Sequence, residues 1–283
     1  MKQNKDIKIT LFTPCYNCAS TIGEVAECVD KQTFKDFEWI IYNDGSTDNS
    51  DEKIQDIILK FPHLDIKYIN PGYNRGKHIA WNRVIDIAKG ELFICADSDD
   101  TFESDSLQFY YEKWQEVKED PKCCGVLGLV DSMETGNLHA GEWPEEGWES
   151  NYLEFSLKYK LKGETWGVTR TDILRRRHFL ELYNGYFGEN YIWHWLAIQG
   201  YVYKCYNHIT RHYRTVSIGS LMATSKKRKV KPQQLIISII MLLWEIKYTS
   251  KWYWKYDKKN LLTMSLKLIN YIRLYIFKSS KTD

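Results

Sequence analysis

The first hundred residues set the tightest limit on what this chain can fold into. They alternate apolar runs of strand length with amphipathic runs of helix length, and the apolar runs break at polar turns. Residues 7–13 are β-branched and apolar, then break at Pro14-Cys15-Tyr16-Asn17. Thr21 with Glu24 reads as a capping box, and Ile22, Val25, Ala26 and Val29 share one helical face. Residues 37–42 predict a strand that ends in Asn43-Asp44-Gly45-Ser46-Thr47-Asp48. A helix over 53–59, a strand over 66–69 and a helix over 77–88 closed by Gly90 follow. Residues 92–96 are apolar without interruption, the pattern of a strand buried on both faces, and run into Asp97-Ser98-Asp99-Asp100. Such units predict an α/β domain with a mostly parallel sheet covered by helices and ligands at the carboxyl ends of the strands.

Three carboxylates within four residues repel one another and raise each other's pKa unless a cation sits among them. A divalent ion meets that need, and oxygen ligands without a nearby His favour Mg²⁺ or Mn²⁺ over zinc. Such an ion serves a phosphate-bearing substrate.

Thr13-Pro14-Cys15-Tyr16-Asn17, the 43–48 turn, Asn74-Arg75-Gly76, and Gly90-Glu91 leading into Asp97-Ser98-Asp99-Asp100, in that order, resemble the family 2 glycosyltransferases of the Rossmann-like GT-A fold. The resemblance is strong over residues 7–105 and weaker over 160–220. It implies an inverting transferase that moves a sugar from a nucleotide donor to an acceptor hydroxyl. On that pattern Pro14 and Tyr16 would line the nucleobase pocket, Asp44 would accept from the base and Arg75 would lie near the nucleotide. Asp97 would contact the ribose and Asp99 the metal bridging the diphosphate, with Asp100 a further motif member. A carboxylate at Asp44 suits the N3–H of uracil, so a UDP-sugar is the expected donor, with a TDP-sugar as the alternative that presents the same edge.

The second half should hold the acceptor and the base. Trp143, Trp148 and Trp166 are each either sugar-stacking or core residues, with Trp166 the preferred sugar contact on a strand over 164–170. Gly188-Glu189-Asn190 opens a helix where many family members carry Glu-Asp, the Asp being the supposed base; Asn190 cannot take a proton, so Glu189 is the candidate base or else a helix-start acid. His194 follows one turn later and reads as packed or exposed rather than catalytic. His212 and Arg214 fall in a polar stretch, 211–217, expected as a loop that closes over the diphosphate or stays solvated.

Charge divides the 283 residues unevenly: residues 221–283 hold 14 Lys/Arg against 3 Asp/Glu, net +11, and the first 220 hold 25 against 34, net −9. The reading is therefore a catalytic domain over 1–220, with nucleotide-binding (1–105) and acceptor (106–220) halves, and a basic amphipathic helical tail over 221–283. The basic run 226–231 precedes Pro232, an expected first helical residue, and wide apolar faces follow over 235–246 and 260–277. Such helices suit an anionic membrane interface, packing on the domain, or a homodimer. No aromatic-lined module accompanies the basic run, which argues against nucleic acid. The polar start of the chain shows no signal peptide, so the expected location is cytoplasmic, peripheral on the inner face of the membrane, with a saccharide or lipid-linked saccharide as acceptor. Seven Cys at scattered spacing are expected as reduced thiols, with a zinc role for Cys15 and Cys18 disfavoured. Two other readings stay open, a nucleotidyltransferase and a non-catalytic carbohydrate-binding subunit.

Overall fold

The computed structural model of the chain describes residues 6–161, 163–181, 188–215 and 232–279; the basic run 226–231 and the end of the 211–217 stretch lie outside them. Among the described residues one nine-stranded sheet organises the molecule, in the order β3-β2-β1-β4-β8-β6-β9-β5 with β7 paired to β9. Strands β1 (Ile9–Cys15), β2 (Phe37–Asn43), β3 (Ile66–Ile69) and β4 (Leu92–Cys95) pair in parallel through the crossover helices α1 (Ile22–Asp30), α2 (Ser50–Lys60) and α3 (Lys77–Ile87). The second half turns the sheet mixed. β8 (Trp166–Arg170) is antiparallel to β4 and to β6 (Cys123–Ser132), and β9 (Val202–Tyr213) is parallel to β6. The short strands β5 (Thr101–Phe102) and β7 (Trp148–Ser150) run antiparallel to β9.

The two-residue period of the strands splits the core into two layers. Ile9, Leu11, Trp39 and Ile41 face α1, α2 and α4 (Ser106–Val117). Phe12, Ile40, Tyr42 and Phe93 face the other way, toward α3 and α6 (Asn190–Ile198). Buried on both faces, β1, β2 and β4 need no polar alternation, which is why they read as largely apolar runs, whereas β3 at the sheet edge is only partly buried. A short helix α5 (Thr171–Leu174) follows β8. Helices α7 (Pro232–Tyr256) and α8 (Lys258–Ser279) form a hairpin at the carboxyl end, with Pro232 as the first helical residue.

Three local expectations are corrected. The capping box at α1 does not form: Thr21 makes no side-chain cap bond, and Glu24 pairs with Arg214 instead. Residues 211–213 are not a loop but the end of β9, held by β6 on one side and β5 on the other. Cys15 and Cys18 form a disulfide, since the turn after β1 brings their Cα atoms within 5.9 Å, inside bonding range. The other five Cys are free thiols.

Candidate active site

Two turns at the carboxyl ends of β1 and β2 are tied together by their own polar side chains. Asn17, in the left-handed region at φ 53°, accepts from the Thr47 backbone N–H at 2.8 Å, and its own N–H donates to Ser46 Oγ at 2.9 Å. The Cys18 N–H donates to Ser50 Oγ at 2.8 Å. Asp44, buried, accepts from the backbone N–H groups of Arg75 (2.9 Å) and Gly76 (2.7 Å), which docks the 43–48 turn on the start of α3. Burial pushes the Asp44 carboxyl up, against the pull of those two N–H groups. Gly45 has φ 67°, and a Cβ there would lie 2.4 Å from the Tyr73 carbonyl carbon, so only glycine lets these two turns meet. Thus Pro14, Tyr16, Asp44 and Arg75 share one rim, on which the Tyr16 side chain is half exposed. The Arg75 guanidinium lies 3.7 Å from Glu181.

Beside this rim, where β4 ends, opens a cavity of about 310 Å³ lined by Lys77, Asp97, Glu164, Trp166, Glu189, Asn190, Trp193, Arg211 and Tyr213, among others. Lys77 Nζ bridges Asp97 (2.6 Å) and Glu189 (2.7 Å), joining a residue after β4 to one at the start of α6. Arg211, from β9 and nearly fully buried, pairs with Asp97 at 3.0 Å and with Asp100, whose other oxygen accepts from the Arg214 N–H at 2.8 Å. Burial pushes the Asp97 carboxyl up, but Lys77 and Arg211 outweigh it and hold it down at about 2. Burial likewise opposes the Lys77 ammonium, and Asp97 and Glu189 more than offset it. Protein cations thus meet Asp97 and Asp100 in this turn, while burial, opposed by Arg211 and reinforced by Asp97, still pushes the Asp100 carboxyl up to about 6.

Among the described residues, no group of three or more His, Cys, Asp or Glu could hold a metal ion. The donor set still fits an ion shared with a ligand. Asp99, with Asp97 close by in sequence, offers hard oxygens, and one or two carboxylates completed by phosphate oxygens and water is the usual setting for Mg²⁺.

Of the residues expected from sequence, Asp97, Trp166 and Glu189 line the cavity, and Pro14, Tyr16, Asp44, Arg75 and Asp99 do not. Trp166 is buried, its indole N–H bonded to the Cys95 carbonyl at 2.5 Å, so it is a wall with a fixed tilt. Trp143 and Trp148 are buried against each other, with ring centroids 5.7 Å apart, and serve the core. His212 points away, with Nδ1 2.6 Å from Asp131 and Nε2 3.0 Å from Glu103. Arg214 clasps the acidic turn from outside: its Nε donates to the Asp99 carbonyl at 2.8 Å and its terminal nitrogen pairs with Glu24. Lys77, Arg211 and Glu164 were missed. Lys77 directly follows Asn74-Arg75-Gly76, which was a usable signal; Arg211 carried none, because its partners lie more than a hundred residues away.

The description glycosyl transferase family 2 matches residues 10–183, more than half of the chain. This chain belongs to glycosyl transferase family 2. The family 2 chain is 34% identical over 128 residues to the teichoic acid poly(glycerol phosphate) polymerase of Staphylococcus epidermidis, which covers 45% of this chain and 17% of that protein. It is 28% identical over 182 residues to the GalNAc(5)-diNAcBac-PP-undecaprenol beta-1,3-glucosyltransferase of Campylobacter jejuni, 63% of this chain and 56% of that one. The chain therefore spans less than two thirds of the length of these curated relatives. Among solved structures, S. aureus TarS 1-349 superposes with a TM-score of 0.63 at 16% identity, over 98% of this chain and 92% of that one. The mannosyltransferase PcManGT from Pyrobaculum calidifontis, solved with GDP-Man and Mn²⁺, gives 0.55 at 15% identity, over 99% and 86%. At such identities the likeness shows the fold, the GT-A arrangement that the motifs implied.

Proposed function

We propose that this family 2 chain transfers a sugar, with inversion, from a UDP-sugar to a hydroxyl of a saccharide acceptor in the synthesis of a cell-surface polysaccharide or glycan. The observation that carries the reading is the meeting of Asp97, Lys77, Arg211 and Glu189 in one cavity beside the rim formed by Pro14, Tyr16, Asp44 and Arg75. Relatives named as polymerases and glycosyltransferases, and a TarS structure in complex with UDP-GlcNAc, support it.

In this reading Pro14 and Tyr16 flank the base and Asp44 accepts its N3–H, using lone pairs left over from its two backbone bonds. Asp97 would contact the ribose and Asp99 would hold Mn²⁺ or Mg²⁺, an ion that would supply positive charge to the departing diphosphate. Lys77 and Arg211 add charge from the protein side. Lys77 exchanges Glu189 for the diphosphate, which frees the Glu189 carboxylate to accept the proton of the acceptor hydroxyl. Trp166 and Trp193 keep water off the reacting carbon.

The tail belongs to the same proposal. Helix α8 leaves Leu262, Leu266, Ile269 and Ile276 largely exposed along one face, with Lys258, Lys259 and Arg273 beside them. Among the described residues no helix is long and apolar enough to cross a membrane. The hairpin lies on the anionic inner face of the membrane, each basic residue adding about 1 kcal/mol, and the acceptor is lipid-linked.

The test is thermal unfolding with UDP-, TDP- and GDP-sugars, with and without Mn²⁺. A ligand at 100 times its Kd adds about 2.7 kcal/mol. A metal-dependent shift with a uridine donor is expected, and no shift with any donor overturns the reading. Asp99→Ala should abolish the shift and turnover without lowering the unliganded Tm. Glu189→Gln should keep the shift and lose about two to four powers of ten in turnover; near-normal turnover would pass the role of base to Glu164.

A further inference from the structure

Helix α6 carries the cavity on one side and the tail on the other. Glu189, its N-cap, and Trp193 line the cavity. Tyr191 and His194 turn away from it onto α7: the Tyr191 ring lies 5.0 Å from that of Trp244, and the buried His194 has Nδ1 2.9 Å from Glu245 Oε1. The His194–Glu245 contact is an ion-pair approach outside hydrogen-bonding geometry, and Glu245 accepts a hydrogen bond from Tyr253 Oη at 3.1 Å, two turns further along α7. Burial, and then the Glu245 carboxylate, push the Tyr253 phenol up, so it stays a donor. The Arg177 guanidinium stacks on the Tyr191 ring at 4.4 Å, with Trp244 at 5.8 Å. The helix is only nine residues long, less than three turns, so its placement comes from these side chains rather than from its own stability.

We infer that Glu245 is a positioning residue for sugar transfer: through His194 it fixes α6, and so fixes where Glu189 stands against Lys77 and the acceptor. The tail hairpin is then part of the catalytic arrangement and not an anchor alone. Whatever shifts the hairpin, including the surface it rests on, shifts Glu189. The inference rests on the role proposed for Glu189. Its physical warrant is separate: removing the mostly buried Glu245 leaves the buried His194 imidazole without the carboxylate that faces it.

The experiment compares the full chain with Glu245→Ala, Glu245→Gln and Tyr253→Phe by three measurements. Amide hydrogen exchange across residues 190–198 reads the hold on α6. Titration with UDP and Mn²⁺ reads the donor rim, and hydrolysis of UDP-GlcNAc reads turnover. Glu245→Ala should speed exchange in α6 by about tenfold or more and lower kcat by a similar factor, with the Kd for UDP unchanged within about twofold. Glu245→Gln keeps an oxygen facing His194 Nδ1 and one to accept from Tyr253, and should restore most of both. Exchange and kcat as in the parent for a folded Glu245→Ala overturn the inference, and so does a Gln variant as damaged as the Ala one. If Glu245→Ala fails to fold, Tyr253→Phe decides, since it removes the hydroxyl that holds Glu245 in place: α6 exchange as in the parent overturns the inference. A parent chain that neither binds UDP nor turns over UDP-GlcNAc sinks the donor reading instead, and the exchange measurement alone then decides whether the hairpin holds α6.

Discussion

Residues 6–102 and the α7–α8 hairpin differ in where their large apolar side chains go. In the first region Ile9, Leu11, Trp39 and Ile41 are fully buried between helix layers. In α8, Leu262 and Ile269 are each 62% exposed and Ile276 58%. The charge differs as well, since the tail is basic and the rest of the chain acidic. A run of burial on both faces closes on itself, whereas an apolar face left outside, with basic side chains next to it, is completed by something else. The two regions meet at α6, which lies between the cavity and α7.

The largest expected effect tests whether the acidic turn of the first region can stand without a cation supplied from outside it, since Arg211 on β9 belongs to neither region. Arg211→Ala removes the cation that joins β9 to Asp97 and Asp100, and leaves a nearly fully buried Asp100 carboxylate without it. The expected loss is about 3–5 kcal/mol, the cost of breaking a buried pair from one side. Urea unfolding measures it, and a loss below about 1 kcal/mol would mean that the turn is neutralised from elsewhere. Arg211→Lys keeps the charge but not the fork, and should fall between.

Next, the same truncation should have opposite weight in the two regions. Ile41→Ala should cost about 2–5 kcal/mol, because a fully buried β2 side chain leaves a cavity. Ile269→Ala should stay within about 0.5 kcal/mol in solution. Its effect should appear instead with vesicles containing anionic lipid, where Leu266→Ala with Ile269→Ala should float less than the parent. Equal flotation of parent and variant, with a change in oligomeric state on dilution, would assign the face to a second copy of the chain.

How far the sequence could be read follows the same division. Strands β1 to β4 and helices α1 to α3 fall within a few residues of expectation, because their signals are local: period-two and period-3.6 apolar spacing with turn residues at the ends. The acidic turn after β4 was legible as a place that requires positive charge. The identity of that charge was not, since Arg211 reaches it from β9 and Lys77 from α3. The 211–213 segment looked like a loop because alternating polar residues on a strand read as solvated unless its two ladder partners are known. Glu189 was singled out by the resemblance at the helix start that carries it, while its contact with Lys77 is a tertiary fact. His194 read as packed or exposed; that it is packed, with its ring meeting Glu245, depends on how the tail folds back.

The smallest expected effect lies inside the most legible region. Thr21 with Glu24 satisfies the spacing of a capping box, for which Thr→Ala costs about 1 kcal/mol. Here Thr21 sits at φ −122°, ψ −28°, makes no side-chain cap bond to α1, and its hydroxyl donates back to the Cys18 carbonyl at a long 3.4 Å. Glu24 has turned to Arg214, which at the same time holds the Asp99 carbonyl. A charged partner from β9's end has thus displaced a weaker local bond, and helix α1 is kept in place by Ile22, Val25, Ala26 and Val29 in the core. Thr21→Ala should therefore change the unfolding free energy by less than about 0.5 kcal/mol in urea. A cost of about 1 kcal/mol or more would show that the capping box forms in solution and that Glu24 is not committed to Arg214.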